Sequence, residues 1–199
     1  EIMPSLVGSE MCIRDSLETL GIKYPNMQYS NAISSNNNGE GGKFGASSEK
    51  MAAAYAAFSA GGIYTTPYYV TKIVDAEGKE TTMKPERKRA MKASTAYVMT
   101  DILKGVITNG TMTNGVIPGL NQAGKTGTSN YDDTQYDQAM ENIDGPYDGS
   151  SLAPDENFVG YTPHYSMAVW SGYDNRMTPV WGSKPVSYTH LTLPTKRIV

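Results

Sequence analysis

Nine residues, Gln122-Ala123-Gly124-Lys125-Thr126-Gly127-Thr128-Ser129-Asn130, constrain this chain more than any other stretch. Their side chains are too small and too polar to fill a core. Glycine and β-branched threonine are poor helix formers, so the run is a strand or a loop. It can line a site. Glycines let a ligand approach the backbone, Lys125 carries a positive charge, and the hydroxyls both donate and accept hydrogen bonds. The core must come from the flanks, and the flanks decide which chemistry the run serves.

Upstream, the spacing predicts two helices. Over Ser47 to Ala60, Met51, Ala54, Tyr55 and Phe58 recur at i, i+3, i+4 and i+7. Ser47 or Ser48 caps this helix, Glu49 favours its positive end, and Gly61-Gly62 stops it. A large residue at Ala54 should disturb its packing more than a change at Lys50. Over Ala93 to Ile107, the residues Ala96, Met99, Leu103, Val106 and Ile107 share a face, which Val98 and Ile102 widen. Asn109-Gly110 ends it, and Thr111 to Asn121 is a glycine-containing connection. Before the first helix, Leu17 to Tyr29 reads as a helix end capped by Gly21, with Pro25 barring a restart. Ser30 to Gly42 reads as an exposed loop rich in Asn, Ser and Gly.

Between the helices, Ile63 to Val74 is β-like, limited by Pro67. Asp75 to Gly78 is a turn and Lys79 to Met83 a short return strand. Pro85 to Lys92 reads as a solvated basic face, with Arg87, Lys88, Arg89 and Lys92 close together. Downstream, Tyr131 to Glu156 holds eight acids and no lysine or arginine, and is expected to be a mobile loop. Phe158 to Thr162 and Tyr165 to Tyr173 read as two strands joined at Pro163-His164, with Met167, Val169 and Ser171 on one side of the second. Trp170 and Tyr173 are assigned to sheet packing and His164 to solvent. The order is helices followed by an antiparallel sheet whose first strand carries Lys125: an α+β layer rather than alternating βα units.

The two ends are read separately. Met11 to Ser16 can be encoded by ATG TGT ATA AGA GAC AGY, and the reverse complement of that DNA, read from GTC, encodes Val186 to His190. Residues 1–16 and 186–199 are therefore expected to be translated sequencing-adaptor DNA, leaving 17–185 as an internal part of a longer gene. Cys12, the only cysteine, then falls outside the authentic protein. Removing the ends takes away three acids and three bases, so the net charge stays at −3. That balance gives no reason to expect a nucleic-acid or anionic-membrane partner, and no apolar run approaches the roughly 20 residues of a membrane span.

Two chemistries use a run like Lys125-Thr126-Gly127. Gly119-x-x-x-x-Gly124-Lys125-Thr126 satisfies the phosphate-loop pattern, which needs a strand before Gly119 and a helix starting near Lys125. Pro118 before it and Thr126 to Asn130 after it disfavour both. The alternative is Lys-Thr-Gly on a strand beside an acyl-transfer site, as serine β-lactamases and penicillin-binding proteins use it. A non-enzymatic surface domain, with Lys125 to Thr128 merely a polar strand, is the third reading.

Three blocks in order, GASSEKMAAAYAAFSAGG (Gly45 to Gly62), AGKTGTSN (Ala123 to Asn130) and FVGYTPHYSMAVWSGY (Phe158 to Tyr173), make the chain resemble the C-terminal part of the transpeptidase domain of class A penicillin-binding proteins, those of the streptococcal 1a type in particular. The resemblance covers Leu17 to Gly182. It implies the α+β serine β-lactamase/penicillin-binding fold, in part, with helices packed on an antiparallel sheet. It implies Lys125 as the catalytic cation, Thr126 and Thr128 as carboxylate binders, the Thr128 backbone N–H as oxyanion donor, Gly127 within the same substrate-binding motif, and Ser129 and Asn130 on the rim. It implies peptidoglycan stem peptides ending in D-Ala-D-Ala and β-lactams as partners, no metal or organic cofactor, and an extracytoplasmic enzyme anchored by a segment N-terminal to this stretch, beside a glycosyltransferase domain.

Ser47-x-x-Lys50 and Ser34-x-Asn36 match the spacing of the family's nucleophile and second motif, but in the wrong order. In the family the nucleophile comes first, then Ser-x-Asn, then Lys-Thr-Gly, and the block holding Ser47 follows both earlier motifs. Ser47 is therefore read as a helix cap and Lys50 as a solvated residue, and the true nucleophile is expected upstream of Leu17.

Overall fold

The computed structural model describes residues 15–22, 46–143 and 145–181. Apart from residues 15 and 16, the adaptor-like stretches 1–16 and 186–199 lie outside the described residues, as do residues 23–29 with Pro25, the loop 30–42 and the Ser34-x-Asn36 match. Residues 15–19 are helical. Gly21 comes next but one at φ 78°, where a left-handed residue ends a helix and glycine avoids the Cβ penalty.

Helix α1 spans Ser48–Ser59 and is capped by Ser47, whose side chain accepts from the Lys50 N–H. Ala54 and Ala57 are buried along it. The small side chains let the helix lie close to the sheet, and the Ser166 hydroxyl donates to the Ala52 carbonyl at 2.7 Å. Helix α2, Ala93–Thr108, buries Ala96, Leu103 and Ile107. Val98 and Ile102, expected to widen this face, are instead exposed. At 100° per residue, the stripe through 96, 99, 103 and 107 leaves them on the flank, and no described element covers it.

The β-like stretch between the helices is two strands, not one. Strand β1 (Ile63–Thr65) pairs antiparallel with β4 (Arg87–Arg89), while β2 (Lys72–Val74) forms a hairpin with β3 (Glu80–Thr82). Pro67, with no N–H to give a ladder, falls in the break. The basic stretch is exposed as expected, but it is also a strand. Its side chains find carbonyls, Lys88 at Glu18 and Arg89 at Gly61 and Met91.

The third sheet carries Lys125. Strands β5 (Ala123–Thr128), β6 (Asp155–Tyr161) and β7 (Ser166–Gly172) lie side by side in that order, all antiparallel. The sheet leans on α1 and α2. Leu103, Ala123 and Tyr161 form one buried cluster with Tyr55, Phe58 and Val106 against it, and Ile107, Met112 and Phe158 form another. Helices and antiparallel sheets together give the α+β architecture. Two assignments to sheet packing fail. Trp170 and Tyr173 are about half exposed, Trp170 toward the end of β7 away from Ser166 and Tyr173 just past the strand's last residue. His164 is exposed in the β6–β7 turn, as expected.

The acidic stretch differs from its expectation. It contains helix α3, Asp133–Glu141, opened by a reciprocal cap: Asp132 accepts from the Gln135 N–H while Gln135 accepts from the Asp132 N–H. A capping box satisfies two orphan donors locally and so offsets the low apolar content. Asp132 and Asp133 also sit where the helix dipole favours negative charge.

The aromatic cluster gives an expected pH response. Burial raises the Tyr55 phenol above the ordinary value of about 10, with the nearby Tyr161 adding to it. Burial likewise raises Tyr161, partly offset by its hydrogen bond to Thr100. A raised phenol favours the neutral form in the folded state, so its contribution is complete below pH 10. It is lost as the pH climbs past the unfolded value toward the folded one. Denaturant midpoints should therefore fall above about pH 10, and fall less in Tyr55→Phe.

Candidate functional site

All six residues of β5 are registered on β6, from Ala123 opposite Tyr161 to Thr128 opposite Glu156. Among the described strands β5 is the margin of the sheet. One row of its backbone N–H and C=O groups therefore has no strand partner in the sheet, the arrangement to which an extended peptide can add.

Gly124 and Gly127 serve different ends. A Cβ on Gly124 would meet the Val159 carbonyl at 2.7 Å and the Phe158 ring at 2.9 Å. Its smallness is demanded by packing. A Cβ on Gly127 would meet only the Asn157 Cβ, at an ordinary 3.5 Å. Nothing within the described chain requires glycine there, whereas close approach of a ligand to the backbone would.

Lys125 is exposed, and its ammonium donates to the Thr126 carbonyl at 2.8 Å. The Thr126 hydroxyl is 2.8 Å from that of Thr111, on the connection after α2. Each hydroxyl retains acceptor capacity beyond this shared bond. Thr128 is exposed at the end of the strand. The structure thus brings Lys125, Thr126, Gly127 and Thr128 together on one accessible edge. Ser129 is turned inward by comparison: its N–H donates to the Asp155 carbonyl at 3.2 Å and its hydroxyl to the Asp155 carboxylate. The Asn130 carbonyl accepts from Arg176 at 3.0 Å. Thr111, Asp155 and Arg176 were not legible as neighbours of this run, since each is joined to it across at least 15 residues of sequence.

Neither feature of a phosphate loop is present. Lys125 lies within a strand, and the next helix begins only at Asp133. The tempting Ser47 and Lys50 are both exposed at the start of α1. Their contact is a helix cap, from the Lys50 backbone N–H to the Ser47 hydroxyl at 3.3 Å. A cavity of about 440 Å³ opens at the other end of β5, with Phe58, Tyr97, Lys104 and Tyr161 in its walls, and none of Lys125 to Asn130 lines it.

Comparison with known proteins identifies the family. Residues 7–186 match the penicillin binding protein transpeptidase domain. The chain is 53% identical over 166 residues to penicillin-binding protein 1A of Streptococcus oralis, covering 83% of this chain and 25% of that protein. It is 52% identical over 167 residues to penicillin-binding protein 1A of Streptococcus pneumoniae, covering 84% of this chain and 22% of that protein. It thus spans about a quarter of the length of the curated relatives it matches. Among solved structures, the penicillin-binding protein PonA1 from Mycobacterium tuberculosis aligns with a TM-score of 0.50 at 27% identity, over 66% of this chain and 31% of that one. The same protein in complex with penicillin V aligns with a TM-score of 0.59 over 87% of this chain and 43% of that one, at 24% identity, a likeness of fold. With a helix-backed antiparallel sheet that displays Lys-Thr-Gly-Thr on its edge, the chain belongs to the penicillin-binding protein transpeptidase family.

Proposed function

We propose that this chain supplies one wall of the active site of a peptidoglycan D,D-transpeptidase, and that the full-length protein is a bifunctional class A enzyme acting outside the plasma membrane. The observation that carries the reading is the placement of Lys125, Thr126, Gly127 and Thr128 on an open sheet edge within a family match. A stem peptide ending in D-Ala-D-Ala would lie along β5, pairing with its free backbone groups. Thr126 and Thr128 would hold the terminal carboxylate. Asn130, beyond the strand, and Ser129, whose hydroxyl is engaged by Asp155, would form the rim.

In the reaction a serine hydroxyl attacks the penultimate D-Ala carbonyl. The carbonyl oxygen becomes an oxyanion facing the Thr128 N–H. The C–N bond then breaks, D-Ala leaves with a proton, and an acyl-enzyme remains. A neighbouring stem amine attacks that ester, the C–O bond to serine breaks, the cross-link forms, and a proton from the amine restores the serine hydroxyl. Lys125 supplies positive potential and assists the proton movements. β-Lactams would acylate the same serine, because opening their ring is the same attack. That serine belongs to the sequence upstream of residue 17, not to Ser47.

Labelling with a fluorescent penicillin tests the reading. The full-length protein should take up label covalently and this chain alone should not. Ser47→Ala in the full-length protein should leave labelling intact and cost about 1 kcal/mol through the lost cap. Labelling of the chain alone that disappears on Ser47→Ala would make Ser47 the nucleophile and overturn the assignment.

A further inference from the structure

The end of β5 is held by a clamp that the transpeptidase motif does not include. At the margin of a sheet, a strand is fixed by its neighbour on one side only, so the geometry of its last residues depends on how the chain beyond them is anchored. Immediately after Thr128, Ser129 is bound twice to Asp155, the first residue of β6. Then Arg176 and Tyr131 grip one another. The Arg176 Nη2 donates to the Asn130 carbonyl at 3.0 Å, and its guanidinium lies 5.7 Å from the centre of the Tyr131 ring. In return the Tyr131 hydroxyl donates to the Arg176 carbonyl at 2.6 Å.

Arg176 is mounted on a turn that is itself fixed at both ends. On one side Gly172 pairs with Asp155 at the end of β7. On the other, Val180 and Ala153 exchange two backbone hydrogen bonds, at 3.0 and 2.8 Å. Asn175 closes the turn between them, accepting from the Met177 N–H at its side chain and from the Thr178 N–H at its carbonyl. Both halves of the clamp therefore refer back to the same few residues around Asp155. The Arg176 Nη1 is buried without a hydrogen-bond partner among the described residues. Buried donors are seldom left so, and a side chain whose only need was charge solvation would turn outward.

The geometry points to Arg176 as a positioning residue for the reaction, acting through Asn130 and Tyr131 to hold the Thr128 backbone in line with the substrate. This role rests on the transpeptidase function proposed for the chain. A guanidinium suits the role because its planar fork donates in plane while its face stacks on an aromatic ring. Displacements of about 1 Å at reacting groups cost up to roughly 100-fold in rate.

The test uses the full-length protein, wild type and carrying Arg176→Met, Tyr131→Phe, both together, or Ser47→Ala as a variant weakened far from the clamp. The second-order rate of acylation by penicillin is measured beside amide hydrogen exchange in the peptide covering 126–131. Arg176→Met should slow acylation by about 10- to 100-fold and speed exchange at Ser129 to Tyr131. Tyr131→Phe should do the same to a smaller extent, and the double variant should be no worse than Arg176→Met. Ser47→Ala should change neither. Exchange and acylation both unchanged in Arg176→Met would overturn the proposal, as would an equal rate loss in Ser47→Ala at equal loss of melting temperature. If even the wild type is not acylated, the functional reading fails by itself. The exchange measurement then still decides the clamp: faster exchange at 129–131 supports it, and unchanged exchange removes it.

Discussion

Lys125→Ala in the full-length protein should lower the rate of acylation by penicillin by roughly 10²–10⁴-fold, the range in which a positioned proton-transfer group contributes. It should hardly change stability. Lys125 is exposed, and among the described residues its ammonium bonds to the carbonyl of the next residue alone. Exposed substitutions that leave packing alone usually fall within about 0.5 kcal/mol of neutral. The two readouts therefore separate cleanly. Lys125→Arg should not restore the rate. A guanidinium keeps the positive charge but remains protonated under all ordinary conditions, so it recovers electrostatic attraction without proton exchange. Stopped-flow acylation and a melting curve on the same samples check both statements. A large drop in melting temperature, or a rate within about threefold of wild type against the 100-fold loss expected of a proton-transfer group, would remove Lys125 from the catalytic role.

The strand that carries Lys125 could be read from the sequence because its determinants are local. Gly and Thr forbid a helix at 123–128, and α1 and α2 announce themselves by period and caps. The β6–β7 hairpin was legible for the same reason. The features hidden from sequence depend on partners distant along the chain. The basic segment 87–89 is a strand only because β1 lies beside it. Val98 and Ile102 are apolar by composition, yet no described element packs over them. Helix α3 is hidden for a different cause: its acidic composition masks the Asp132–Gln135 capping box, a local signal that is present. At the candidate site, the strand carrying Lys125 to Thr128 was legible, but the residues it contacts were not. Thr111, Asp155 and Arg176 reach it through tertiary contacts that no spacing rule encodes.

Phe158→Ala should be the most damaging change to the fold outside any binding role, costing about 3–5 kcal/mol. Phe158 is 7% exposed and packs with Ile107 and Met112. Its ring also lies against Gly124 and Gly160, whose added Cβ atoms would come within 2.9 and 2.8 Å of it. Paired glycines on adjacent strands leave a flat bed for the ring, so backbone bounds the space it fills. Backbone in a paired sheet cannot collapse into a void, and the cavity penalty should sit at the high end of its range. Gly124→Ala probes the same contact from the other side. Its methyl group would press on both the ring and the Val159 carbonyl, and overpacking of this kind costs about 1–3 kcal/mol. The ring can yield and the carbonyl cannot, so combining the two changes should relieve only part of the penalty. The double variant should be less destabilised than the sum of the singles, yet no more stable than Phe158→Ala alone. Denaturant unfolding of the four proteins measures this coupling. Strict additivity would mean that ring and glycine do not meet. Acylation should fall with Phe158→Ala as well, because the β5–β6 pairing beneath that ring is what presents Lys125 and Thr128 on the edge.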